Sequence, residues 1–428
     1  MKMKAILATA VAASLLAAPA SADLVIPDLS YRTGPYAAGG TPFSDGYQDY
    51  LALLNARDGG IGGEEVRVVE CETGYNTEKG VECYESTKGE GALVYQPLST
   101  GITYQLIPKA EADNIPLHTL GYGRTSVKDG KTFNWAFNYP ANYWDAASVI
   151  VNYLKDENQG DLKGKTIALL YHNSAYGKEP IPTLEKLAEA EGYELDLLAV
   201  DHPGQEQTSQ WLQIRRSRPD YVLMWGWGVM NQVAIQEAAN IRYPMENFIG
   251  NWWSGAEHDV GPAGKGANGY KSLNMTKVTR EFPVLEEIET LVHDKGDAAG
   301  DGSNIGSVLY IRGMYAAMLT AEAIAKAQDI HGVADITPAM MRDGMEALEI
   351  TKARMTELGM EGIGPEFSVS CENHGGPGLG IVQQWNADDE TWSSLTGFIA
   401  SDKSVTAPLV EASAKAYAEE NDIKAGCL

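Results

Sequence analysis

Strand-like and helix-like segments alternate along this chain in two successive series, and that double alternation limits the fold more than any other feature. Residues 24–26 form an apolar strand-like run, and residues 66–70 alternate like a half-buried strand. Between them Phe43, Tyr47, Tyr50, Leu51 and Leu54 recur at helical spacing. Thr41 is the expected N-cap of that helix, Pro42 its first residue, and Gly59-Gly60 its stop. The first series continues with helices over 77–88 and 103–113 and strands over 92–95 and 115–120. After Tyr139-Pro140 the pattern restarts, with helices over 143–156, 182–192, 209–218 and 231–241. The matching strands are 166–171, 195–200, 221–225 and 247–250. Strands separated by helices of about ten or more residues predict βαβ units and parallel sheets. The expected class is therefore α/β, with two doubly wound lobes. Helices over 282–295, 307–327 and 338–349 follow, then strands around Val369, 381–385 and Trp392, and a surface helix over 410–420.

The first residues bear on the compartment. Lys2 and Lys4 precede an apolar run over 5–18, and Ala20-Ser21-Ala22 supplies a small-x-small cleavage pattern. Residues 1–22 are expected to be a secretory signal, with the mature chain starting near Asp23 in the periplasm. The rival, a membrane anchor, needs about 20 apolar residues, and the run is shorter. No cysteine follows the cleavage pattern, so no lipid anchor is expected, and no later stretch reads as a membrane span. The net charge of −25, from 58 acidic and 33 basic residues, argues against nucleic acid and anionic membranes as partners. In an oxidising compartment Cys71, Cys83, Cys371 and Cys427 are expected as disulfides. Cys71 with Cys83 is preferred because they are close in sequence, leaving Cys371 with Cys427, though other pairings stay open. A zinc site is the rival, but no CxxC or HxxxH accompanies them.

Tests for catalytic chemistry return weak signals. Gly164-Lys165-Thr166 resembles the end of a phosphate loop, but position 159 is Gln and the segment leads into a strand, not a helix. Gly59-Gly60-Ile61-Gly62-Gly63 lacks dinucleotide spacing, and GxSxG, HExxH and SxxK are absent. His172, His258 and His374 lie near turns without partner motifs, where a polar contact is the simpler reading. No enzyme, no catalytic residue, no cofactor and no metal is expected.

Several segments in order carry a resemblance. Ser30 to Ala37 reads SYRTGPYA after the first strand, and Ala56 to Ile61 reads ARDGGI at the close of the first helix. Gln96-Pro97-Leu98-Ser99-Thr100-Gly101 opens a helix, Asn114-Ile115-Pro116-Leu117-His118-Thr119 enters a strand, and Ser174-Ala175-Tyr176-Gly177 follows the second series' first strand. This set resembles the type I periplasmic binding proteins of the branched-chain amino acid class, over nearly the whole mature chain. The resemblance implies two lobes joined by three hinge crossings, lobe one over 23–138 and 275–331 and lobe two over 139–274 and 332–428. It implies a monomeric substrate-binding component of an ABC importer, with a small-molecule ligand and a membrane permease as partners.

Ligands of open α/β sheets bind at the carboxyl ends of strands. Ser99 sits there, and its hydroxyl with the helix-opening amides suits an anionic group, although it also reads as a plain N-cap. By resemblance Ser99, Thr100, Thr119 and Gly121 hold a carboxylate, with Tyr36 and Tyr122 beside them, and Tyr176 closes from lobe two. Trp225, Trp227, Trp252 and Trp253 end two neighbouring strands, as core packing or as an aromatic-lined cleft. Arg32 and Arg124 on flanking loops are candidate carboxylate partners, with ordinary surface roles as the alternative. Two departures stand out: Asn251-Trp252-Trp253 replaces the acid that pairs with a ligand ammonium, with Glu257 shifted nearby, and Gln96 replaces a glycine. A small carboxylated solute, aromatic or not, is the leading expectation. A branched or aromatic amino acid, a quaternary amine and a sensing role follow.

Overall fold

The computed structural model describes residues 23–428, so the expected signal segment lies outside the described residues. The first half runs β1 (Leu24–Ser30), α1 (Ala37–Asp58), β2 (Val66–Glu72), α2 (Thr77–Thr87), α3 (Thr100–Asp113), β3 (Leu117–His118) and β4 (Ala136–Phe137). β1 pairs with β2 in parallel, and β3 with β4. The expected strand over 92–95 is reduced to parallel bridges, Val25 with Ala92, Asp28 with Gln96 and Tyr95 with Leu117, which join the two pairs into one sheet.

The second half adds α4 (Tyr143–Glu157), β5 (Thr166–His172), α5 (Ala175–Lys178), α6 (Ile181–Glu191), β6 (Glu194–Val200), α7 (Thr208–Ser217), β7 (Tyr221–Trp225), α8 (Val229–Asn240), β8 (Phe248–Gly250), α9 (Glu257–Val260) and β9 (Lys271–Asn274). The chain then returns to the first half through α10 (Pro283–Leu291), α11 (Val308–His331), α12 (Pro338–Glu346), β10 (Glu349–Ile350), α13 (Lys352–Glu357) and β11 (Phe367–Ser368). It crosses back for β12 (Leu379–Asn386), β13 (Thr391–Ser394), β14 (Ile399–Ala400) and α14 (Lys403–Glu420). The second sheet has the order β13-β12-β9-β8-β7-β5-β6, with β14 on β12. Its members β5 to β9 are parallel, and β12 is antiparallel to β9.

Three expectations need correction. α1 starts at Ala37, not at Thr41, and encloses Pro42. Gly39 and Gly40 donate to the Tyr36 carbonyl and build the extra turn. A β-carbon at Gly39 would meet the Trp227 ring, so the missing side chain lets this turn lie against the second half. Second, α12 was expected in the second lobe, yet it packs on α11: a β-carbon at Gly344 would meet the Ala323 carbonyl. Residues 348–363 bury Leu348, Ile350, Met355 and Ile363 in the same core. Third, α11 is long and apolar enough to cross a membrane by length and composition, contrary to the expectation that no later stretch reads as a span. Its apolar window is 89% buried, which makes it the central helix of the first half. Both expected disulfides form, Cys71–Cys83 and Cys371–Cys427, each with Cα atoms 5.7 Å apart. The second ties the chain end beyond α14 to the last crossing.

α1 lies against α11 where two glycines meet backbone. A β-carbon at Gly46 would strike the Tyr310 carbonyl, and one at Gly313 the Phe43 carbonyl. Close-packed interiors do not yield to an added methyl without shifting backbone. Gly313→Ala is therefore expected to cost about 1–3 kcal/mol of stability. Gly89→Ala, where open space surrounds the position, should leave it near wild type. Urea-unfolding midpoints of the two variants check this, and equal midpoints would contradict the packing.

Candidate ligand-binding site

The carboxyl ends of the two sheets face each other across a seam of aromatic side chains. On the first half, Ser99 caps α3 in an extended conformation, with its Oγ a long 3.4 Å from the Ile102 amide. That weak cap leaves hydroxyl capacity for another partner. The preceding Leu98 takes a left-handed φ of 47° and donates its amide to the Tyr122 hydroxyl at 2.7 Å. Tyr122 in turn donates to Gln96 Oε1 at 2.7 Å, so the residue that departs from the expected glycine anchors the turn. Thr119 Oγ1 donates to the Tyr122 carbonyl at 3.0 Å, and Gly123 donates to Thr100 Oγ1 at 3.2 Å. Residues 119–123 are thereby strapped to the start of α3.

The second half meets this turn directly. Trp252 Nε1 donates to the Gly121 carbonyl at 2.7 Å. Gly121 has a φ of 67°, and a β-carbon there would collide with Met275 and Trp252. Tyr176 donates to the Gly226 carbonyl at 2.8 Å, which holds it at the end of β7. Tyr143 lies 6.1 Å from Trp252 in a stacked pose and 5.3 Å from Tyr176. Trp227 and Trp253 meet edge to face at 5.4 Å, and Trp253 also meets Tyr122 at 6.0 Å. From the first half Tyr31 reaches Trp227 at 6.3 Å and Tyr75 at 5.1 Å.

These rings border a small cavity between the two halves. Ser99, Thr100, Tyr122, Tyr176, Trp227 and Trp253 line it together with Tyr31, Tyr75, Leu98 and Tyr143. No lining residue is charged. Burial pushes the phenols of Tyr31, Tyr122, Tyr143 and Tyr176 well above their ordinary range, so they present neutral hydroxyls. The indole N–H groups of Trp225, Trp227 and Trp253 have no acceptor among the described residues.

Other sequence candidates lie beside the cavity or away from it. Thr119, Gly121 and Trp252 do not line it, although Trp252 stacks on the lining Tyr143 and donates to Gly121. Trp225 is fully buried at the end of β7, edge-on to Tyr143. Tyr36 packs on Tyr75 at 4.4 Å and bridges the halves through its hydroxyl, 3.0 Å from His172 Nε2. The two arginines serve elsewhere. Arg32 is spent on Asp45 at 2.6 Å and Glu70 at 2.5 Å. Arg124 lies over the Tyr417 ring at 4.8 Å and donates to Ser126 and Ser413, so it anchors α14. Glu257 accepts from the Val308 amide at the start of α11 and does not line the cavity. The sequence reading missed Tyr31, Tyr75 and Tyr143, although the strand-end rule points at Tyr31 and Tyr75, which follow β1 and β2. Arg312, the one arginine of α11 and fully buried, was not singled out either.

Residues 24–390 match the family described as periplasmic binding protein. A solved structure from the Pseudomonas fluorescens group, described as an ABC transporter permease, is 38% identical, with a TM-score of 0.87 over 95% of this chain and 99% of that one. A branched-chain amino acid ABC transporter from Thermus thermophilus with bound valine shares the fold at 19% identity, with a TM-score of 0.73 over 89% of this chain and 97% of that one. A solute-binding protein from R. palustris in complex with benzoate does so at 18%, with a TM-score of 0.68 and coverages of 89% and 97%. Among curated proteins, the Leu/Ile/Val-binding protein homolog 7 of Brucella suis is 26% identical over 257 residues, 58% of this chain. That match spans 63% of the relative's own length.

One acid crosses the seam. Glu179, just after α5, accepts from Tyr104 Oη at 2.6 Å and lies 3.4 Å from the Thr125 amide, both on the first half. Burial holds its carboxyl above the usual range, although these hydrogen bonds act the other way. A carboxyl raised in the folded state binds its proton more tightly there than when unfolded. Its stabilising contribution is therefore present below the ordinary Glu value and is lost as pH rises through the raised one. Glu179→Gln keeps an acceptor and removes the titration. The stability of Glu179→Gln relative to wild type should climb as pH rises above the ordinary Glu value, read from urea midpoints. A pH-independent difference would contradict this.

Proposed function

The chain belongs to the periplasmic binding protein family, and we propose that it captures a small carboxylated solute in the interlobe cavity and delivers it to a membrane ABC permease. The ring-lined space between the two sheet ends, opening on the start of α3, carries this reading. A carboxylate fits the start of α3, where Ser99 caps the helix and the first amides lack intrahelical partners. Tyr and Trp faces receive the solute's body, and offset or edge-on ring contacts favour an aromatic or branched group. The periplasm as the compartment, and import as the use, extend the family's character and the names of the relatives to this chain. So does the reading of the chain as a binder that performs no turnover. The lobes, at 23–138 with the return segment and 139–274 with the tail, hinge about the three crossings, and contacts to both lobes bias the closed form. The amino-acid alternative draws on the Leu/Ile/Val-binding relatives, but it lacks an acid in the cavity wall to pair with an ammonium.

A thermal-shift panel tests this. Small aromatic and branched monocarboxylates should raise the melting temperature by mass action, and Ser99→Ala should weaken the best of them about tenfold. Loss of the Ser99 cap should itself cost only about 1 kcal/mol of stability. An unchanged affinity in Ser99→Ala would remove the helix start from the site.

A further inference from the structure

Arg312 is a buried cation without a salt-bridge partner among the described residues. It projects from α11 with no solvent exposure. One guanidinium nitrogen donates to the Trp252 carbonyl, another to Asn274 Oδ1 at 2.7 Å, and Nε has no partner among the described residues. Both acceptors are neutral, and Arg312 has no salt bridge among the described residues. Asp259 and Glu257 favour its charged form from a distance, but their own contacts go elsewhere. Asp259 binds Asn231, the Ala256 amide and His258, and Glu257 binds the first amide of α11. An unpaired buried charge is costly, and dipoles alone compensate it only in part. Burial pulls the guanidinium down to about 9, so at neutral pH it still carries its charge.

That charge is one ring removed from the cavity. The guanidinium lies 4.8 Å from the centroid of the Trp253 ring, and Trp253 lines the cavity. We infer that Arg312 is the specificity-determining residue of this site, selecting an anionic solute that serves as its missing counter-ion and excluding cationic ones. This rests on the reading of the cavity as the solute site. The same geometry rules against a quaternary amine, despite the many rings. A cation–π contact needs an electron-rich face, and Trp253 already supports one cation. It also disfavours zwitterionic amino acids, whose ammonium would lie in the same field with no acid in the wall. Arg312 further ties recognition to closure, since it reaches from α11 on the first half to Trp252 and Asn274 on the second.

The test uses matched charge triples on the wild-type protein, read by calorimetric titration: benzoate, benzamide and benzylammonium, then 3-methylbutanoate, its amide and its ammonium counterpart. In each triple the anion should bind at least about tenfold more tightly than the amide, and the ammonium more weakly still. Arg312→Gln, which keeps a hydrogen-bond donor, should bring the anion-to-amide ratio close to one, while Arg312→Lys keeps most of the preference. If Arg312→Gln does not fold, the Arg312→Lys ratio and the wild-type ranking decide. An amide or ammonium that binds the wild type as tightly as its anion overturns the role of Arg312 and leaves the cavity in place. No binding by any member overturns that role together with the cavity's assignment.

Discussion

The meeting of the two sheets at their carboxyl ends is the constraint from which the rest of the structure follows. Every parallel strand delivers a loop to that end, so both halves supply loop residues to one seam. Polar links across the seam include Trp252 to Gly121, Tyr36 to His172, Glu179 to Tyr104, and Arg312 to Trp252 and Asn274. Each is worth little by itself, about 1 kcal/mol net for a neutral pair. Ring-on-ring contact supplies the remainder of the match. Glycine is needed wherever the halves come closest, at Gly39 under Trp227 and at Gly121 under Trp252. A seam built this way gains its contacts together or loses them together, which is how a two-position hinge behaves.

Much of this was legible from period and punctuation. The repeated strand–helix alternation carried the α/β class: β1, β5 and β7 are largely buried on both faces and read as apolar runs, whereas β2 and β6 keep exposed positions and alternate. Boundaries suffered where tertiary contact overrode local signals. Thr41-Pro42 looks like a helix start, yet packing against Trp227 and Tyr31 extends α1 upstream through two glycines. The strand at 92–95 weakened into bridges, and the length of α11 resembles a membrane span because a core helix and a spanning helix share composition.

The site was legible only where chemistry and topology coincide. Ser99 stands out as a candidate because it opens a helix at a strand end, where α/β sheets bind ligands, while it also caps that helix. Tyr75 and Tyr143 were not singled out, since a tyrosine in a loop or at a helix start carries no motif. The arginines were misjudged for a physical reason. Arg32 and Arg124 sit on loops, and loop placement suggests availability. In the structure nearby acids and rings satisfy both.

Availability is better judged by what a charge lacks than by where it sits. Arg32 has two carboxylates, and its burial is partial, so an incoming anion would compete for an occupied partner. Arg312 has two neutral acceptors, no solvent and one ring between it and the cavity. Its field is little screened there, because low-polarity surroundings weaken Coulomb interactions far less than water does. The lone arginine in the apolar run 308–327 was therefore the charge to follow. A helix that buries a cation among leucine, methionine and alanine incurs a desolvation cost that core packing alone does not explain. A complementary charge arriving with the solute offsets that cost only when the two halves are closed around it.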